Sequence, residues 1–355
     1  MRIGLVGPPQ SGKTSVFRIL TGTATADTLA THQPEIGVYA LPDPRLVEIA
    51  AWAECDRVTP ARIELWDPPS HWTLTDDRAS QLIGELRTMD GLLCVIPAFD
   101  VDRTPFDWSV VFDRVAHLER TLMMADLQVL QGRYERLQKE YAKRHEETLL
   151  QESQYVRSMM QCLQDERPLR AEPWPDAAVH VVRGYGLLSL KPIVYLFNIA
   201  ERALGQVDMH EVLHVAGNQR PWAGWEYTCA RLELELIRMD TAERTEWMQM
   251  YTLTELLPER LVDSLLHALG LIRFYTVLKG EARVWLLPQG ATALDAAGCI
   301  HTDMARGFIR AEVLHYTDIA QVESFRTARQ QGRLRVEGRD YIVRDGDILT
   351  IRFSV

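Results

Sequence analysis

The stretch Gly7-Pro8-Pro9-Gln10-Ser11-Gly12-Lys13-Thr14-Ser15 constrains this chain more than any other. It fits the pattern G-x-x-x-x-G-K-[ST], and its flanks fit as well. Arg2 to Val6 reads as a short buried strand, and Ser15 to Leu20 opens an apolar-periodic helix. A strand, a glycine-rich turn and a helix in that order aim backbone N–H groups and a helix N-terminus at one point, which suits a chain of phosphates. In this reading Gly7, Pro8, Gln10, Ser11, Gly12 and Ser15 form the cradle. Lys13 reaches the outer phosphates, and the Thr14 hydroxyl stands at a Mg²⁺ position. The competing reading is a glycine-rich turn with no ligand, and the flanking strand and helix weigh against it.

Strand-like runs recur at Arg2–Val6, Arg62–Trp66, Gly91–Pro97 and Pro192–Phe197, with helical patterns between them. That alternation predicts an α/β fold built on a mostly parallel sheet. A polar, glycine-poor stretch interrupts it. Leu127, Leu130, Tyr134, Leu137 and Tyr141 follow a heptad seam, and Leu149, Val156, Met159 and Leu163 continue apolar but out of register. The pattern predicts two antiparallel helices turning near Lys143–Glu147; one long surface helix is the alternative. The prolines of Arg167–Asp176 end the hairpin. Beyond about Gly270 the texture changes to short strands at Val284–Leu287, Phe308–Val313, Asp340–Val343 and Ile348–Phe353, with one helix at Ala293–Ile300. The expected domains are 1–116 with 183–271, an inserted hairpin at 117–182, and a small α+β module at 272–355.

Composition narrows the setting. Hydrophobic residues make up 46% of the 355 and charged residues 25%, as in ordinary globular proteins. The five cysteines (55, 94, 162, 229 and 299) are scattered without a C-x-x-C pair, which argues against zinc ribbons and disulfide frameworks and suits a reducing, cytoplasmic compartment. No apolar run approaches the roughly 18 residues of a membrane span, and no secretory leader is expected. A net charge of −10 disfavours broad binding to nucleic acid and gives no reason to expect sequence-specific DNA binding. Local basic patches remain, for example Arg326, Arg329, Arg333, Arg335 and Arg339.

Several motifs point to one family. They are Pro34-Glu35-Ile36-Gly37-Val38 with Pro42-Asp43-Pro44-Arg45-Leu46; Ala125-Asp126-Leu127 with Tyr134-Glu135-Arg136-Leu137; and Asn198-Ile199-Ala200-Glu201. The C-terminal set is the most specific: Lys279 to Trp285, Pro288 to Ala293, Ala297 to Asp303, Gly307 to Val313 and Asp340 to Asp347. Over nearly its whole length the chain resembles the YchF / Obg-like ATPases, a branch of the Obg-related P-loop NTPases. The resemblance implies a P-loop domain, an inserted antiparallel helical hairpin and a C-terminal TGS-like β-grasp module. It also implies ATP binding, slow Mg²⁺-dependent hydrolysis and contact with the ribosome or ribosomal RNA, through the hairpin and the C-terminal surface.

The resemblance assigns further roles. Asp67, at the end of the Arg62–Trp66 strand, is the carboxylate expected near the metal, and Thr31 aligns with the threonine that completes the metal shell. Asn198, Ile199 and Glu201 form the base-recognition segment. Glu in place of Asp goes with adenine rather than guanine in this family, with GTP as the less favoured ligand. Thr228-Cys229-Ala230 resembles the last base-contacting loop. The chain departs from the family at Asp67-Pro68-Pro69-Ser70, where Asp-x-x-Gly is usual. Two prolines fix φ and remove N–H donors, which predicts a stiffer loop. His71 follows directly, where related GTPases place the residue that orients attacking water; an ordinary loop histidine is the alternative. Two further readings stay open: a hydrolysis-deficient nucleotide-binding scaffold of the same family, and a small-molecule kinase, which the hairpin and C-terminal module do not suit.

Overall fold

The computed structural model describes residues 1–23, 33–69, 74, 79–101 and 106–354. The chain forms two compact units: Met1–Tyr39 with Glu64–Arg260, and Ala40–Ile63 with Leu261–Val355. The strands in chain order are β1 (Arg2–Val6), β2 (Glu35–Ala40), β3 (Arg57–Thr59), β4 (Arg62–Asp67), β5 (Gly91–Pro97), β6 (Ile193–Asn198), β7 (Gly224–Thr228), β8 (Leu271–Leu278), β9 (Glu281–Pro288), β10 (Phe308–His315), β11 (Arg335–Glu337) and β12 (Asp347–Phe353).

The first sheet has the order β2-β4-β1-β5-β6-β7, and the pairs β1·β4, β1·β5, β5·β6 and β6·β7 are parallel. Ile3, Leu5, Leu93, Val95, Tyr195 and Phe197 are buried, as strands covered on both faces must be. The order runs outward in both directions from β1. Such a switch point opens a crevice at the carboxyl ends of the strands, where ligands bind in open α/β sheets.

The hairpin is formed by a 37-residue helix, Trp108–Arg144, and an 18-residue helix, Glu147–Gln164. The turn falls at His145, in left-handed conformation, and Glu146, inside the expected Lys143–Glu147. Met123, Leu130 and Leu137 form the buried seam against Val156, Met159 and Leu163, while Leu127 and Tyr134 are half-buried at its margin. The long helix is tied to the sheet by Asp126, which is fully buried. Its carboxylate accepts from Arg87 Nη1 at 2.8 Å, from the Leu188 and Ser189 amides at 3.0 and 2.6 Å, and from Ser189 Oγ at 2.7 Å.

In the second unit the sheet order is β11-β10-β12-β8-β9-β3, with β12 parallel to β8 and the β8–β9 and β10–β12 pairs antiparallel. The helix Ala293–Ile300 starts at a capping box between Thr292 and Asp295 and buries Ala293, Ala296 and Ala297 on one face of that sheet, a β-grasp arrangement. The segment Asp340–Val343, expected as a strand, makes only an isolated bridge between Thr292 and Ile342. Its neighbours explain why. The Asp347 carboxylate takes the Arg344 amide and the Tyr341 hydroxyl, which curls the segment into a turn. Ala40–Ile63 also belongs here. Asp43 caps the helix Pro44–Trp52 through the Arg45 amide and accepts from the Tyr275 hydroxyl at 2.7 Å, and β3 pairs parallel with β9.

Candidate functional site

The loop after β1 is shaped by close backbone approaches. A Cβ on Gly7 would stand 2.4 Å from the Val95 carbonyl oxygen. A Cβ on Gly12, whose φ is +99°, would stand 2.4 Å from Asn198 Nδ2. Both positions therefore exclude a side chain. Gln10 adopts φ +60°, and Gly12 leads into the helix Lys13–Thr21.

Lys13 is buried. Its ammonium donates to the Gly7 and Pro8 carbonyl oxygens, both at 2.9 Å, and so points into the mouth of the loop. Desolvation by burial lowers its pKa, against the pull of Asp67. Thr14 Oγ1 donates to Asp67 Oδ2 at 2.8 Å, bringing the helix start against the end of β4. Burial pushes the Asp67 carboxyl up to about 6, while Thr14 and Lys13 work in the other direction. The second oxygen, Asp67 Oδ1, and the Ser11 hydroxyl are buried with no hydrogen-bond partner among the described residues. An orphaned carboxylate oxygen beside a threonine hydroxyl is the donor set a hard divalent cation takes. Pro68 and Pro69 are buried; Ser70, His71 and Thr31 lie outside the described residues.

Asn198 ends β6 and is buried. Its amide donates from Nδ2 to the Ser11 carbonyl at 2.9 Å, and its Oδ1 accepts from the Ala230 amide at 3.1 Å. It thus clamps the phosphate loop to the loop after β7. Thr228 is committed elsewhere, donating to Glu233 Oε1 at 2.9 Å. Burial raises the Cys229 thiol to about 11, so it stands as a neutral wall. Ser15, Ile199, Glu201, Cys229 and Ala230 line a cleft of about 700 Å³. Glu201 is exposed at its rim and accepts a hydrogen bond from the Tyr251 hydroxyl. Of the described residues proposed from the sequence, Ser15, Asn198, Ile199, Glu201, Cys229 and Ala230 line this cleft, while Gly7 and Pro8 line a separate hollow.

The sequence reading missed three contributors. Phe99 and Asp100 line the same cleft because β5 ends beside β6, a consequence of strand order that the carboxyl-end rule signals. Tyr251, in contact with Glu201 from a distant helix end, carries no local signal.

A parallel sheet with its switch point at β1, a lysine-bearing loop there and an asparagine clamp behind it define a P-loop NTPase fold. The comparisons with known proteins agree. Residues 271–354 match the family model described as YchF-GTPase_C, a protein of unknown function (DUF933). The ribosome-binding ATPase YchF of Pasteurella multocida (strain Pm70) is 30% identical over 363 residues, covering 100% of this chain and 99% of that protein. The Bacillus subtilis (strain 168) protein of the same name is 27% identical over 370 residues, covering 99% of each. The structure of the Schizosaccharomyces pombe YchF GTPase superposes with a TM-score of 0.82 at 22% identity, covering 99% of this chain and 97% of that one. The chain belongs to the YchF family.

Proposed function

We propose that this chain binds ATP with Mg²⁺, hydrolyses it slowly and works in association with ribosomes in the cytoplasm. The convergence of Lys13, Thr14 and Asp67 at the carboxyl ends of β1 and β4 carries this reading. Its support comes from relatives of the same length that are named ribosome-binding ATPases.

In this reading Lys13 exchanges the Gly7 and Pro8 carbonyls for phosphate oxygens, and the backbone N–H groups from Gln10 to Ser15 hold the phosphate chain. Thr14, Asp67 and Thr31 hold Mg²⁺, which when bound neutralises charge on the phosphates. Asn198 positions the loop, while Ile199, Glu201 and the Thr228–Ala230 loop surround the base. Glu201 favours adenine over guanine. His71 orients the attacking water; unchanged turnover in His71→Ala removes that role. The proposed domains follow those read from the sequence, 1–116 with 183–271, 117–182 and 272–355, except that 40–63 groups with the second unit.

A second reading has an observation of its own. Buried Pro68 and Pro69 replace a mobile glycine-bearing loop, which favours a nucleotide-sensing scaffold without turnover. The deciding experiment pairs ATP and GTP affinities in Mg²⁺ with single-turnover hydrolysis, each with and without ribosomes. Tight ATP binding with slow, ribosome-stimulated cleavage supports the ATPase. Tight binding without cleavage under any condition supports the scaffold. Equal, weak affinity for both nucleotides sinks both readings.

A further inference from the structure

The long helix Trp108–Arg144 does more than build the hairpin. In its second turn Arg114 reaches back to the end of β5. Its Nη1 and Nη2 donate to Asp100 Oδ1 and Oδ2 at 2.6 and 2.8 Å, a two-point pair, and Nη1 also donates to the Pro97 carbonyl. Pro97 is the last residue of β5 and stands beside Asn198 in the sheet register. The hydrogen bonds from Arg114 hold the Asp100 carboxyl below the ordinary aspartate range. Asp100 lines both the cleft that holds Ser15 and Glu201 and the hollow of about 600 Å³ that holds Gly7 and Pro8. Arg114 lines the hollow. One carboxylate therefore forms part of the cleft wall, and its counter-ion stands behind that wall. The two side chains are 30% and 49% exposed, and pairs of that kind add little to the stability of a fold. The geometry calls for a role at the site.

The charges of the cleft supply one. Asp100, Glu201 and Glu235 line it together with Arg202, Arg231 and Arg238. Three carboxylates and three guanidinium groups cancel. A nucleoside polyphosphate brings several negative charges, and a chain carrying −10 overall attracts such a ligand only through local positive surplus. Lys13 adds one charge from the loop. Arg114 adds another: by occupying both oxygens of Asp100 it takes that carboxylate out of the balance. A planar fork meets the two oxygens at once, which a single ammonium group does not. The further bond to the Pro97 carbonyl fixes the end of β5 next to Asn198, so Asp100 stays at the wall. The cation comes from the helix that runs on to the hairpin turn at His145, so the root of the hairpin and the wall of the cleft share this joint.

We infer that Arg114 is a positioning residue for the nucleotide: it holds Asp100 at the cleft wall and cancels its charge toward the phosphates. The inference rests on the nucleotide-binding reading above. The test uses the full chain and measures AMP, ADP and ATP affinities in Mg²⁺ by competition against a fluorescent ATP analogue, at low and at high salt. Arg114→Ala should weaken ATP binding roughly five- to tenfold at low salt. The loss should grow from AMP to ADP to ATP and shrink at high salt, as an unscreened carboxylate requires. Arg114→Lys should recover part of it, returning the charge without the fork. Adding Asp100→Asn to Arg114→Ala should bring ATP affinity back near wild type, with the melting temperature held throughout. Unchanged ATP affinity in Arg114→Ala overturns the inference. So does a loss equal for AMP and ATP, or a double variant no better than Arg114→Ala; either result makes Arg114 a structural tie to Pro97. A wild-type chain that binds neither ATP nor GTP removes the nucleotide-binding reading, and this inference with it.

Discussion

Asn198→Ala separates two roles for one side chain. The family resemblance makes Asn198 a base-recognition residue, but the geometry makes it a clamp. Its Nδ2 donates to the Ser11 carbonyl and its Oδ1 accepts from the Ala230 amide, at 2.9 and 3.1 Å, in a buried position. Alanine would leave one buried acceptor and one buried donor unpaired, each costing about 1 to 3 kcal/mol. The sum, about 2 to 6 kcal/mol, should appear in urea unfolding of the ligand-free protein as a lower midpoint at constant slope. Because the clamp holds the phosphate loop, ATP and GTP affinities should fall by the same factor, at least tenfold, with their ratio unchanged. Both are read by titration with fluorescent nucleotide analogues. Stability within about 0.5 kcal/mol of wild type together with a shifted ATP-to-GTP ratio would refute the clamp.

Gly12→Ala should weaken nucleotide binding more than tenfold, read in the same titration, since its Cβ would meet Asn198 Nδ2 at 2.4 Å with φ at +99°. Glu201→Asp should move preference toward GTP; Tyr251→Phe, which frees Glu201 from its hydroxyl partner, should shift the ratio by a few-fold and leave phosphate affinity intact. Asp67 makes a pH prediction with a definite sign. Its folded pKa is raised from 3.8 to about 6, so in that window the ligand-free fold keeps a proton that the unfolded chain has released. That share of stability, about 3 kcal/mol at most, is full in acid and lost as pH rises through 6. Asp67→Asn should shrink the difference between urea midpoints at pH 5 and pH 7.5. Asp126→Ala should cost about 3 to 5 kcal/mol in urea unfolding, because it removes the buried carboxylate that pairs with Arg87 and accepts from the Leu188 and Ser189 amides.

How much of this was legible depends on the range of the interactions concerned. β1, its loop and the following helix are one continuous stretch, and local chemistry sufficed to read them. The hairpin turn was legible because the heptad seam stops where polar residues begin. The strand expected at Asp340–Val343 failed because alternation there serves a turn: Asp347, four residues beyond Val343, takes the Arg344 amide and the Tyr341 hydroxyl. Ala40–Ile63 looked like part of the nucleotide-binding region. Its β3 pairs with β9, more than two hundred residues later in the chain, and nothing in the alternation of three residues announces such a partner.

The site shows the same limit more sharply. Residue types could be assigned from motifs, but their partners could not. Asn198 meets Ser11 across 187 positions, a contact that exists only because β5 and β6 lie between β1 and β7 in one order and one register. The parallel pairs put Pro97 beside Asn198 and Asn198 beside Thr228, so the ends of three strands share a level. Once that level exists, the Ala230 amide has to find an acceptor away from water, and Asn198 Oδ1 is the group within reach. Asn198 therefore cannot be free to serve a base alone. Its amide is spent on the backbone, so in the function proposed above discrimination between adenine and guanine would fall to Glu201 and whatever orients it, which is why Tyr251 is the residue to change next.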